Sequence, residues 1–136
     1  MTKTATETRT IIVERELAHP PGKVWRALTQ SALIEEWLMK NDFKAVVSHR
    51  FHFRADWGAV DCQVLAVEPN KTLSYTWAAY DLKSVVTWTL TPTGSGTHLR
   101  MEQSGFRPDQ RQAYLGAKGG WQHFFGNLER VLGRTD

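Results

Sequence analysis

The chain has 136 residues, 41% of them hydrophobic and 23% charged, with 17 Lys and Arg against 14 Asp and Glu for a formal charge of +3. That length suffices for one domain with a sizeable core, and the composition is that of an ordinary globular protein. The basic residues are scattered without a run of like charge, so no nucleic-acid-binding stripe is indicated, and the single cysteine excludes an intrachain disulfide or a multi-cysteine zinc site.

The opening "MTKTATETRT" is polar and has no apolar stretch of secretory length. Residues 1–8 are expected to fray. No segment approaches the length of a membrane-spanning helix, and with the lone cysteine the chain reads as cytoplasmic. "TIIVERELAHPP" predicts a strand with Ile11 and Val13 on one face, ended by Pro20 and Pro21. Proline then suits the first turn of a helix, and "PGKVWRALTQ" sets Val24, Trp25 and Leu28 at helical spacing. "SALIEEWLMK" predicts a second short helix, capped by Ser31, with Leu33, Trp37 and Leu38 inward.

From Asp42 the period changes to two. "SHRFHFRAD" places Phe51 and Phe53 on one face, and "AVDCQVLAVEPNKT" does the same for Val60, Cys62 and Val64. "LSYTWAA" points Leu73, Tyr75 and Trp77 one way, and "SVVTWTL" does so with Val86, Trp88 and Leu90. "TPTGSGTH" predicts a hairpin loop, "THLRMEQ" continues with Leu99 and Met101 inward, and "SGFRPD" is expected to break the strand. Strand, two short helices, five or six consecutive strands and a long helix make an α+β fold around an antiparallel meander.

The last helix poses a question, because the stretch from Gly116 to Leu132 combines a strong apolar stripe with four glycines. On a wheel of about 100° per residue, Tyr114, Ala117, Phe124, Phe125, Leu128, Val131 and Leu132 fall within about 80° of Trp121. Burying each large side chain contributes about 1.5–3 kcal/mol, whereas each interior glycine costs about 0.8–1 kcal/mol relative to Ala. A firm helix is therefore expected from Gly120 to Leu132. Ahead of it, Gly116 and Gly119 point outward on the wheel, and residues 107–120 read as a kinked or looped lead-in that gates a pocket.

One helix on a meander leaves a concavity to fill. Six tryptophans are many for this length. Each alone reads as core filler, but the inward aromatic set reads as the lining of an apolar ligand cavity. The expected lining comprises Trp37, Phe51, Phe53, Trp57, Tyr75, Trp77, Trp88, Tyr114, Trp121, Phe124 and Phe125, with Cys62, Val86 and Met101 among them.

In order along the chain, "HPPGKVWRALTQ", Trp37, "LSYTW", "VTWTL", "GSGTHLRMEQSGF" and "GGWQHFFGNLERVL" resemble the START-like helix-grip (SRPBCC) superfamily. The closest resemblance is to the bacterial branch named for the activator of the heat-shock-protein-90 ATPase. The resemblance covers nearly the whole chain, with one departure: Leu38 stands where a second aromatic often follows Trp37. It implies one START-like domain over residues 1–136, with a curved antiparallel sheet wrapped around the long C-terminal helix and two short helices after the first strand. It also implies a cavity between sheet and helix that takes a lipid or polyketide-like ligand. Within the superfamily, cyclase or hydrolase chemistry and co-chaperone work occur as well.

Catalytic signals are weak. His49 and His52 would lie on opposite faces of a strand, so no metal site is expected. No nucleophile elbow, phosphate loop or dinucleotide fingerprint occurs, and no cofactor is implied. Cys62 alternates with valines and reads as a buried small hydrophobe. The ionisable groups that can reach a pocket are Asp56, Asp61, Tyr80, Asp81 and Tyr114. Binding of a small hydrophobic or aromatic molecule is the leading expectation. The alternatives are an enzyme using Asp56 or Asp61 with a tyrosine, and a module that docks a chaperone partner.

Overall fold

A computed structural model describes residues 8–134. The fraying expected of residues 1–8 therefore falls, for 1–7, outside the described residues. In chain order the elements are β1 (Arg9–Leu17), α1 (Pro21–Thr29), α2 (Ser31–Trp37), β2 (Lys40–Asn41), β3 (Arg50–Ala55), β4 (Gly58–Glu68), β5 (Thr72–Ala79), β6 (Leu82–Thr93), β7 (Gly96–Phe106) and α3 (Arg111–Arg134). The strands form one curved sheet in the order β1-β7-β6-β5-β4-β3-β2, with every neighbouring pair antiparallel. From β2 to β7 it is a meander, and β1 closes the far edge against β7. The α+β helix-grip architecture follows, with α3 packed on the inner face.

Alternation explains the faces. Phe51 and Phe53 of β3, Val60, Cys62 and Val64 of β4, and Leu73, Tyr75 and Trp77 of β5 are all buried. Val86, Trp88 and Leu90 of β6 and Leu99 and Met101 of β7 complete the inner face. Against it α3 lays Trp121, Phe125, Leu128, Val131 and Leu132. Pro21 opens α1 at a position that needs no backbone donor. The Trp37 indole N–H donates to the Ala27 carbonyl at 2.8 Å and ties α2 to α1. No helix of the described residues is long and apolar enough to cross a membrane.

Three local expectations change. Gln30, not Ser31, caps α2. The Ser31 hydroxyl instead donates to the Asn41 carbonyl at 3.1 Å, and the Asn41 amide donates back to the Ser31 carbonyl at 3.1 Å. The pull is tertiary: it fixes the chain leaving α2 onto β2.

"SGFRPD" does break the strand, but only in its second half: a turn follows from Arg107, and until there β7 runs on to the buried Phe106. Gly105 is the residue that permits this. Its φ is +112°, and the pairing with β1 skips it, passing from Arg9 and Phe106 to Thr10 and Ser104. It is the extra residue of a β-bulge.

The third change concerns the lead-in to the last helix: its looped part is confined to residues 107–110, and from Arg111 α3 is one unbroken helix of 24 residues. Gln110 precedes it, with its side-chain oxygen accepting from the Arg107 N–H at 2.9 Å and its side-chain nitrogen donating to the Asp81 carbonyl at 3.0 Å. Those bonds, with the ion pair of Arg107 and Asp81 at 3.6 Å, hold the start of α3 to the turn between β5 and β6. Helix continuity overrides the glycine propensity because the following turns are anchored so heavily.

Candidate functional site

The face of α3 toward the sheet is built in two halves. From Trp121 onward it carries large side chains that fill the core. Before that it carries Ala113, Gly116, Ala117 and Gly120, spaced i, i+3, i+4 and i+7, on one side of the helix. A Cβ added at Gly116 would meet nothing within 4 Å, and one at Gly120 only the Phe124 ring edge at 3.9 Å. Where the small residues stand, the helix leaves space, and a cavity of about 350 Å³ opens there. A volume of this size falls at the lower end of small-molecule pockets.

The opposite wall comes from the ends of the strands. Trp77 and Ala79 of β5, Leu82 of β6 and Gln103 of β7 line it, with Met39 just after α2. The Trp57 ring belongs to the β3–β4 turn and the Tyr80 ring to the β5–β6 turn, and both flank the mouth. Their ring centroids lie 6.2 Å apart, and the Tyr80 hydroxyl donates to the Trp57 carbonyl at 2.8 Å. Tyr80 is 84% exposed and Trp57 51% exposed. The backbone of Tyr80 is left-handed, with φ at +56°.

Of the aromatic set read from the sequence, Trp57, Trp77, Trp121 and Phe124 form the cavity wall. Trp37, Trp88 and Phe125 lie beneath as core, where Trp88 meets Trp37 edge-on at 5.8 Å, Trp121 at 5.7 Å and Phe125 at 5.7 Å. Phe51, Phe53 and Tyr75 pack together, and Phe53 lies against the cavity-wall Trp77 at 5.2 Å. Val86 and Met101 are fully buried. The Tyr114 ring packs on Phe106 at 5.6 Å rather than over the cavity.

Cys62 is buried, and desolvation, with the charges of Asp61 and Asp42 adding to it, raises its thiol well above the ordinary range. Burial does the same to the phenol of Tyr75, whose oxygen accepts from the Trp88 indole at 3.0 Å. Both stay neutral at physiological pH and offer no nucleophile or base.

The candidate acids divide. Asp81 lines the mouth, with its carboxylate beside Arg107. Asp61 points to the outer face of the sheet, where it meets His52 at 3.4 Å, and Asp56 is exposed in the β3–β4 turn. An enzyme built on Asp56 or Asp61 facing the cavity therefore lacks its acid. Among the described residues, no group of three or more His, Cys, Asp and Glu side chains is placed to hold a metal ion.

Sequence reading missed Met39, Ala79, Leu82, Gln103 and, on α3, Ala113, Gly116 and Gly120 as cavity lining. Gly116 points outward relative to the packed stripe of Trp121, but the face that lines the cavity is turned around the helix from that stripe. The available signal was the run of small residues at helical spacing.

The chain belongs to the family of activator of Hsp90 ATPase homolog 1-like proteins, whose model matches residues 18–133. No curated protein matches the sequence. Among solved structures, protein MLL2253 from Mesorhizobium loti is 69% identical, with 94% of this chain and 99% of that one covered and a TM-score of 0.90. Protein BH1534 from Bacillus halodurans is 28% identical over 91% of this chain and 96% of that one, with a TM-score of 0.81. DynU16, a protein in the dynemicin biosynthetic locus, is 27% identical over 92% of this chain and 47% of that one, with a TM-score of 0.82.

Proposed function

We propose that this member of the activator of Hsp90 ATPase homolog 1-like family binds a small apolar or aromatic molecule in the cavity between the sheet and the first half of α3. Residues 1–136 act in this as one START-like domain of the cytoplasm. One observation carries the reading. The sequence places Ala113, Gly116, Ala117 and Gly120 on the cavity side of α3, opposite Trp57 and Trp77, whereas the later turns of the same helix fill the core with Trp121, Phe125, Leu128, Val131 and Leu132. Filling such a space would stabilise the fold, so an open, apolar-walled cavity fits a binding role. The likeness to a protein of a biosynthetic locus agrees with a scaffold that handles small molecules.

Tryptophan fluorescence tests this directly, because Trp57, Trp77 and Trp121 form the wall. Flavonoids, polyketide analogues and medium-chain lipids are titrated into the wild type and into Gly116→Leu. The leucine side chain enters the cavity unopposed and removes a helix-interior glycine, so the variant should be as stable as wild type or more so. Its affinity should fall at least about tenfold, equivalent to about 1.4 kcal/mol. Absence of quenching and of any thermal shift across all three ligand classes would overturn the reading.

A further inference from the structure

We infer that Gln103 makes this cavity selective for neutral aromatic molecules bearing a hydrogen-bonding oxygen, such as a phenol or an aryl ketone, over hydrocarbons of the same shape and over carboxylates. The inference rests on the cavity being the ligand site, and it adds the class of ligand.

β7 turns Leu99 and Met101 to the inside and then, at the next inward position, Gln103, which is 1% exposed. Burying a carboxamide is unfavourable unless its groups are bonded, so an apolar residue would serve a closed core better. Here the amide belongs to a directed chain. The Trp121 indole N–H donates to Gln103 Oε1 at 2.7 Å, Gln103 Nε2 donates to Ser84 Oγ at 3.0 Å, and the Ser84 hydroxyl donates to the Trp77 carbonyl at 2.8 Å.

The direction is forced at both ends. An indole nitrogen only donates, so the oxygen of Gln103 must face Trp121. The serine proton is spent on a carbonyl, so Ser84 must accept from the amide nitrogen. A carboxamide has two N–H groups and two lone pairs on oxygen. One of each is used, which leaves one N–H and one lone pair on a side chain that lines the cavity.

The ionisable side chains of the wall, Tyr80 and Asp81, are exposed at the mouth, and the indoles of Trp57 and Trp77 can only donate. The buried side chain with both a donor and an acceptor to spare is Gln103, bonded to the Trp121 indole, whose ring centroid lies 5.4 Å from that of Trp77. A phenol hydroxyl can satisfy both remaining groups and a ketone oxygen the N–H. A bare hydrocarbon strips water from them and returns nothing. A carboxylate fares badly for another reason. No Lys or Arg lines the cavity among the described residues, and Asp81 stands at its mouth, so the anion would lose its water without gaining a cation.

The experiment compares 1-naphthol, naphthalene and 1-naphthoate by fluorescence titration, and follows the Gln103 side-chain amide resonances by 1H–15N spectroscopy. Wild type is expected to bind naphthol at least about tenfold more tightly than naphthalene or naphthoate, with the Gln103 amide shifting for naphthol only. Gln103→Met should bring naphthol and naphthalene to within about twofold of each other. If that variant does not fold, Ser84→Ala replaces it: the amide is kept and one N–H released, so the preference for naphthol should persist or grow. Equal binding of naphthol and naphthalene to wild type, or an unmoved Gln103 amide, would overturn the selectivity while leaving an apolar site in place. Binding by none of the three, together with silence of the broader ligand panel, would instead remove the cavity as a ligand site.

Discussion

His98 stands on the outer face of β7 between two carboxylates of β1. Its Nε2 lies 2.7 Å from Glu14, and its Nδ1 bonds to Glu16. The bond to Glu14, then that to Glu16, raises the imidazole above its ordinary value of 6.5. A raised value in the folded state means that folding favours the protonated ring. The stabilisation is then complete below about pH 6.5 and is lost as pH rises through the elevated folded value. In urea unfolding, the deficit of His98→Gln relative to wild type should be larger at about pH 6 than at about pH 9. An equal deficit at both would show that the ring contributes by packing alone. Cys62 behaves differently at the same scale. Its alternation with Val60 and Val64 marks a buried thiol in the sequence, and burial is what makes it inert.

At the scale of elements, glycine has two opposite meanings in this chain. Gly105 is required by geometry: a Cβ there would sit 2.7 Å from the Lys83 carbonyl oxygen, at a φ of +112°. Gly119 lies in the exposed interior of α3 with nothing within 4 Å of an added Cβ. Guanidinium melts of the two alanine variants should diverge. Gly105→Ala should lose about 2 kcal/mol or more through strain and overlap, and Gly119→Ala should gain about 0.8–1 kcal/mol from helix propensity. A loss at Gly119 would show that α3 needs flexibility there, as a gating segment would. The hairpin tips are the complementary case. Trp57 and Tyr80 lie in turns and meet only because β3–β4 and β5–β6 end at the same level of the sheet.

Over the whole molecule, the strands and α3 converge on Trp88, fully buried in contact with Trp37, Trp121 and Phe125. Replacing it by Ala would leave a large void that three elements must share. Trp88→Ala should cost about 3–5 kcal/mol, read from thermal and denaturant unfolding, and a loss under about 1 kcal/mol would mean that the core repacks freely. That hub was legible, because each of its members sits at the inward phase of its own element. The period of two from Arg50 onward and the stripe at Trp121, Phe125, Leu128 and Leu132 likewise determined the meander, the last helix and the faces they bury. Burial periodicity is a local property, written into consecutive residues. Tertiary structure alone decided which inward residues border empty space. Trp77 and Trp88 share a sequence signature, yet one lines the cavity and the other fills the core, because only the ends of the strands face the small residues of α3. It also decided that a glutamine on β7 meets an indole eighteen residues away. Cavities and hydrogen-bond chains arise from how distant surfaces fail or manage to fit, which no periodicity records.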